Sequence, residues 1–227
     1  MLRKWENLDE WMRQPEVKEY YDLLSKKKVS LFFKRVFDLL IAVILFIILL
    51  IPMILIAVYI KTDSKGPVFY RQRRVTQYGK EFRIHKFRTM VVNAEQIGTA
   101  VTVGEDPRIT KAGHFLRKTR LDELPQLIDV LEGTMSFVGT RPEAVKYVEQ
   151  YTPEMRATLL LPAGITSEAS ILYKDEAELL ENAEDPDRTY VEEILPAKMK
   201  YNLNSIRNFS LLSELKTMFA TVGAVLK

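Results

Sequence analysis

The stretch LLIAVILFIILLIPMILIAVYI, from Leu39 to Ile60, runs for 22 residues without a charge or a glycine, and Tyr59 carries its only hydroxyl. At about 1.5 Å per residue such a helix extends roughly 33 Å, against about 30 Å for the hydrocarbon core of a bilayer. A cleaved leader fits poorly, because the run is too long and begins too far from the N-terminus. A buried soluble helix fits poorly too, since an all-round apolar helix of this length is unusual in a chain of 227 residues. The stretch predicts a membrane helix and leaves its topology to the flanks.

Both flanks are basic. Lys26, Lys27, Lys28, Lys34 and Arg35 lie upstream, and Lys61, Lys65, Arg71, Arg73 and Arg74 downstream. A spanning helix should be positive on one side only. Pro52 also lies inside the run, where it removes a backbone donor and bends a helix. Together these predict a Pro52-broken, re-entrant helix with both ends on the cytoplasmic side. Ahead of it, Trp5, Leu8 and Met12, then Val17, Tyr20, Tyr21 and Leu24, recur at helical spacing. That face has two open readings, a membrane surface or the body of the protein. The expected division is residues 1–33 as an amphipathic membrane-surface segment, 34–61 as the re-entrant helix and 62–227 as a cytoplasmic catalytic domain.

The net charge of +3 hides a strong asymmetry. Arg71, Arg73, Arg74, Lys80, Arg83, Lys86 and Arg88 face Glu81 alone within residues 71–90, and Arg108, Lys111, Arg117, Lys118 and Arg120 face no acid within 107–120. A cationic middle suits phosphates, lipid head groups or nucleic acid. Residues 175–195 reverse the sign and predict a solvated helix–loop region. The absence of cysteine excludes disulfides and thiolate metal sites, and with only His85 and His114 no zinc site is expected.

Downstream the period changes. Val68 to Val75 and Glu81 to Phe87 flank a turn at Gly79 and predict a β-hairpin. Leu121, Leu124, Leu127, Ile128 and Leu131 form a helical stripe ending at Gly133, which puts Asp122 near the N-cap and Pro125 in the first turn. Pro142 is expected to open a further helix through Val145, Val148 and Tyr151. Leu211, Leu212, Leu215, Met218, Phe219 and Val222 make a C-terminal stripe, for core or for lipid. The expected fold is mostly α with a small β-hairpin (α+β), one catalytic domain on the membrane helix.

Asp122-Glu123 is the pair that carries chemistry. Acids at a helix start need do nothing beyond favouring the helix, and the helix terminus would keep both ionised. Here Arg117, Lys118 and Arg120 precede them and Arg141 follows. Carboxylates among cations suit a site where Mg²⁺ meets phosphates. An ionised carboxylate can also attack phosphorus, and arginines can neutralise the transferring group.

Six short strings now stand in order: Lys34-Arg35-Val36-Phe37-Asp38, Gly66-Pro67-Val68-Phe69, Lys86-Phe87-Arg88-Thr89-Met90, Asp106-Pro107-Arg108-Ile109-Thr110, Leu121-Asp122-Glu123-Leu124-Pro125-Gln126 and Val138-Gly139-Thr140-Arg141-Pro142-Glu143. Over about residues 30–170 the chain resembles the bacterial sugar transferases, the monotopic polyprenyl-phosphate phosphoglycosyl transferases. The resemblance implies transfer of a sugar-1-phosphate from a UDP-sugar to polyprenyl (undecaprenyl) phosphate, with UMP released, as the first membrane step of a surface glycan. It implies Asp122 as nucleophile, Glu123 as its partner, and both as Mg²⁺ ligands. Lys86, Arg88, Arg120 and Arg141 would hold phosphates, and Lys34, Arg35 and Asp38 would meet the polyprenyl phosphate at the membrane surface, unless Arg35 and Asp38 simply pair along the helix. It implies the bacterial inner membrane with the catalytic domain facing the cytoplasm and no nucleic acid as partner; the apolar stripes leave room for a homodimer. The chain departs from the family in having Ile51 before the proline, Thr76 and Thr140 where Gly and Pro are common, and Leu161-Pro162-Ala163-Gly164-Ile165-Thr166-Ser167 in a usually different string.

Two other readings compete. A glycosyltransferase releasing UDP would call for a series of βαβ units, which the pattern lacks. A membrane-tethered adaptor would use the cationic hairpin, with its interleaved aromatics, to bind anionic lipid or nucleic acid; it has no use for the acid pair.

Overall fold

A computed structural model of the chain describes residues 2–94, 106–174, 176–181 and 183–225. The expected α+β class holds, with helices dominating and the described strands forming two small two-stranded sheets.

Helix α1 (Pro15–Ser25) opens on a proline at its first turn, which leaves no intrahelical donor unused. Its face, with Leu8 and Met12 before it, is buried with Tyr147, Tyr151, Ala157, Leu160, Leu195 and Met199 in the largest core cluster. Of the two readings left open for the N-terminal segment, the apolar face therefore packs on the body, and the assignment of residues 1–33 to the membrane surface is corrected for that face. Nor is there a boundary at residue 34, because α2 begins earlier.

Helix α2 (Lys28–Asp63) contains Pro52 and continues through it. The expected break is thus corrected: the proline takes a donor from the Ile48 carbonyl without ending the helix. One stripe of α2 faces the protein for nearly its whole length, through Lys34, Asp38, Ala42, Met53 and Ile60. The other carries Leu40, Val43, Ile44, Ile47, Ile48, Ile51, Ile54, Leu55 and Val58, all exposed.

Strands β1 (Phe69–Val75) and β2 (Glu81–Phe87) form the antiparallel hairpin, pairing Phe69 with Phe87 and Val75 with Glu81. Its turn uses left-handed residues at Tyr78 (φ 61°) and Gly79 (φ 74°). Thr76, where the family often has Gly, is buried and braces the hairpin: its hydroxyl donates to the Thr134 carbonyl at 2.5 Å and accepts from the Ala163 N–H at 3.1 Å.

Helix α3 (Lys111–Lys118) is capped by Thr110, whose hydroxyl accepts from the Gly113 N–H. A 3₁₀ turn follows at Leu121–Glu123, and α4 (Gln126–Glu132) ends on Gly133 in the left-handed region, φ 85°. The helix thus starts four residues beyond the expected N-cap. Strand β3 (Met135–Val138) runs parallel to β4 (Ala163–Thr166). At the end of this pair Gly139 and Gly164 lie so close that a Cβ on Gly164 would sit 2.2 Å from the Gly139 nitrogen. Pro142 lies outside any helix or strand, and the helix expected from it, α5, is only Val145–Val148.

The acidic stretch is more structured than a solvated loop. Among its described residues are α7 (Glu176–Glu181), α8 (Pro186–Thr189) and a π turn at Tyr190–Ile194, after α6 (Glu168–Leu172), and Leu180, Tyr190 and Ile194 are buried. Positions 175 and 182 lie outside the described residues. Helix α9 (Leu195–Arg207) crosses the core, and α10 (Leu211–Val225) leaves Leu212, Phe219 and Val222 exposed.

Candidate active site

Three segments converge on the acid pair. Strand β2 delivers Lys86, the 3₁₀ turn holds Asp122 and Glu123, and the chain leaving β3 delivers Arg141. Lys86 Nζ donates to Glu123 Oε1 at 2.9 Å. Arg141 ion-pairs with the same oxygen and its Nη1 donates to Oε2 at 3.4 Å. Burial alone would raise the Glu123 pKa, but Arg141 and then Lys86 outweigh it and hold the carboxylate far below the ordinary range. Burial is the main influence on Lys86 and lowers its pKa, with Glu123 opposing.

Asp122 stands differently. It makes no hydrogen bond to any described residue. Burial pushes its carboxyl upward, Lys86 opposes this, Glu123 adds to it, and Arg117 and Arg141 oppose it again. The expected lowering by a helix terminus is therefore corrected for Asp122, whose carboxyl is shifted upward by burial, while Glu123 is shifted downward. Adjacent carboxyls are driven apart by their surroundings, one locked between cations and one unengaged.

Arg117 stands just ahead of the pair in the sequence, where its position alone assigns it no role. It lies on α3, and burial lowers its pKa while Asp122 and then Asp106 raise it, so it faces the pair. Arg120, assigned to phosphates, turns away instead: it adopts φ 57° and its Nη2 donates to the Lys174 carbonyl at 3.2 Å. No glycine marks that left-handed step, so nothing in the local pattern separates the two arginines.

Arg88 is also placed elsewhere. Its guanidinium donates to the carbonyls of Pro67 (2.6 Å), Lys65 (3.0 Å) and Ser64 (2.9 Å), fastening the chain where it leaves α2. At the other end of α2, Arg35 donates to the carbonyls of Val130 (2.8 Å) and Leu131 (3.3 Å), capping α4. Asp38 accepts from the Ser136 hydroxyl at 2.7 Å, so the Arg35–Asp38 pairing left open is not the one formed. Lys34 is buried, donates to the Val138 carbonyl at 2.9 Å and ion-pairs with Glu214. These three side chains anchor α2, with Lys34 and Asp38 buried and Arg35 half-buried.

Two further features lie on α4. Gln126 is buried with neither amide atom hydrogen-bonded. Asp129, fully buried, accepts from the His85 main-chain N–H at 2.9 Å and lies 2.8 Å from His85 Nδ1.

An apolar helix is anchored to a small α+β body, and that body carries an acid pair among cations, a combination that suits a lipid surface and a phosphate. Comparison with known sequences makes the class particular: the profile described as bacterial sugar transferase matches residues 29–227, and the chain belongs to that family. It is 37% identical over 198 residues to a UDP-glucose:undecaprenyl-phosphate glucose-1-phosphate transferase of Klebsiella pneumoniae, covering 86% of this chain and 40% of that one. It is 36% identical over 206 residues to a UDP-N-acetylgalactosamine-undecaprenyl-phosphate N-acetylgalactosaminephosphotransferase of Aeromonas hydrophila, covering 89% and 46%. It is 31% identical to the exopolysaccharide production protein ExoY of Sinorhizobium fredii, covering 85% and 84%. The chain spans less than half the length of the first two relatives.

Proposed function

We propose that this protein transfers a sugar-1-phosphate from a UDP-sugar to undecaprenyl phosphate through a phospho-sugar intermediate on Asp122, at the cytoplasmic face of a bacterial inner membrane. The observation that carries the reading is the unengaged Asp122 carboxyl beside Glu123, which Lys86 and Arg141 hold in place.

An ionised Asp122 oxygen attacks the sugar-bearing phosphorus of the donor. The bond from that phosphorus to the oxygen bridging it to the nucleotide breaks, and UMP leaves with the electron pair. An oxygen of undecaprenyl phosphate then attacks the same phosphorus. The aspartyl O–P bond breaks, the carboxylate returns, and the product is an undecaprenyl diphosphate sugar. Neither displacement needs a proton. Lys86, Arg117 and Arg141 supply positive charge around a group that stays anionic throughout. Arg141 offers a planar fork to a phosphate, which a lysine cannot.

The oxygen donors of Asp122 and Glu123 suit Mg²⁺, which binds through one or two carboxylates and shares substrate phosphate oxygens. Bound there, it would neutralise charge on the diphosphate as UMP departs. Asp122 and Glu123 would hold it, Asp122 through carboxylate oxygens that make no hydrogen bond to a described residue.

What supports membrane placement is α2. Its outer face is a continuous apolar surface, too large to be left to water. What supports a re-entrant course is that one body holds both ends. Lys34 and Arg35 bond to the residues around β3 and α4, while Asp63 accepts from the Ala112 N–H at 3.0 Å and Arg88 binds the carbonyls after it.

The test is product identity. Protein is incubated with Mg²⁺, undecaprenyl phosphate and a panel of UDP-sugars, beside Asp122→Asn. UMP release by the wild type alone is expected. UDP release would overturn the reading in favour of simple glycosyl transfer, and full activity in Asp122→Asn would remove the intermediate.

A further inference from the structure

Glu123, Gln126 and Asp129 recur at every third position through the 3₁₀ turn and α4, and β2 lies alongside them. Glu123 takes Lys86 and Asp129 takes His85, so two consecutive residues of one strand are held by two acids of one stripe. Between them Gln126 is buried with its amide unpaired.

Among the described residues strand β2 is paired on one edge only, with β1, in the register that sets Arg71 against His85. The His85 N–H goes to Asp129 Oδ2, and the other carboxylate oxygen meets the ring at Nδ1. The carboxylate thus does for the open edge of β2 what a third strand would do. His85, Asp129 and Glu132 lie close enough to share a cation. Both Asp129 oxygens already serve His85, however, and Glu132 is exposed, so the arrangement is a brace between strand and helix.

We propose that Asp129 is a positioning residue, which grips His85 by main chain and ring, sets β2 against α4, and so places the Lys86 ammonium at Glu123 where the diphosphate binds. This rests on the phosphate-holding role given to Lys86 above. Stability alone is a weak reason for the arrangement, because a buried ionic group is often matched by apolar residues of similar volume. Burial pushes the Asp129 carboxyl upward and the bonds from His85 oppose it, so the pairing has to offset its own desolvation. The neighbouring Cα atoms of residues 85 and 86 are about 3.8 Å apart, so a shift of the His85 backbone is passed on to Lys86. Displacement of a substrate-holding group by about 1 Å lowers rates by about 100-fold.

The test is a double-mutant cycle on the full chain, using Asp129→Asn, Lys86→Met and the pair, with kcat and KM for the UDP-sugar from UMP release and Tm for each protein. Asp129→Asn is expected to lower kcat/KM by about 10- to 100-fold, and to add no further loss in the Lys86→Met background. A merely structural Asp129 would lower Tm and multiply the losses, which overturns the proposal. Wild-type kcat/KM in Asp129→Asn overturns it as well. An unimpaired Lys86→Met enzyme would remove the Lys86 reading itself, an outcome distinct from multiplied losses. If Asp129→Asn does not fold, Asp129→Glu, which keeps the charge but shifts the carboxylate off the His85 main chain and ring, takes its place in the same cycle with the same criteria.

Discussion

Asp122 and Glu123 are consecutive acids with opposite surroundings, and their substitution should separate two roles. Asp122→Asn removes the attacking oxygen and should give no covalent adduct with a UDP-sugar when undecaprenyl phosphate is withheld. Glu123→Gln leaves Lys86 and Arg141 without their shared anion but keeps Asp122. It should still form the adduct, with a rate lower by about 100-fold or more. Intact-protein mass spectrometry reads both outcomes directly. An adduct on Asp122→Asn and none on Glu123→Gln would exchange the assigned roles. Arg141→Lys keeps the charge and loses the fork that spans both Glu123 oxygens, so kcat/KM should fall by about 100-fold, against little change in Tm. The acid pair, Lys86 and Arg141 were legible because order and spacing mark them. The fates of Arg88, Arg117 and Arg120 were not, since a long cationic side chain reaches carbonyls or phosphates equally well until the backbone aims it. Here a left-handed residue at Arg120 and the chain leaving α2 make that choice.

Individual elements depend on a few buried polar contacts. Lys34 lies between Glu214 and, at 3.9 Å, Asp38, with the Val138 carbonyl as a third partner. Lys34→Met would leave the buried Asp38 and the half-buried Glu214 without their cation and should destabilise the protein by about 3–5 kcal/mol. Burial already raises the Glu214 pKa, with Lys34 opposing, so Glu214→Gln should be much milder; thermal unfolding of both variants in one detergent measures the contrast. Gly164→Ala is a second case. Its Cβ would strike the backbone of Gly139, two residues before Arg141, and should lower stability by about 1–3 kcal/mol. It should also weaken UDP-sugar turnover, because the displaced segment carries Arg141. The hairpin, the apolar helix and the Gly133 stop were legible from period and turn chemistry. The 3₁₀ turn ahead of α4 was not, because Asp-Glu-x-Pro suits a helix start and a preceding turn alike. Pro52 does not end the helix, since neighbouring turns carry one missing bond, but it leaves the point at which so long a helix can bend.

For the whole molecule the decisive relation is between α2 and the body beneath it. An apolar helix of this length is by itself compatible with crossing a bilayer, and only its context argues otherwise. The protein-facing stripe continues from Lys34 to Ile60, and the contacts at its two ends belong to β3 and α4 at one end and α3 at the other. If α2 crossed, those elements would have to lie on both faces of the membrane, or polar parts of the body would have to enter the hydrocarbon. Neither is acceptable for groups such as Arg35, Asp63 and Arg88, whose partners are main-chain atoms of the folded domain. A course that enters and leaves by one face keeps the body in water and lets lipid cover Leu40, Ile47, Ile51 and Leu55. The chain has no cysteine, so single cysteines at Lys28 and Lys65 can be labelled without background. In inverted membrane vesicles, which expose the cytoplasmic face, both should react with an impermeant maleimide. In intact cells neither should. Reaction of one position from each side would mean that α2 crosses, and would require the anchoring contacts at one end to be absent in the membrane.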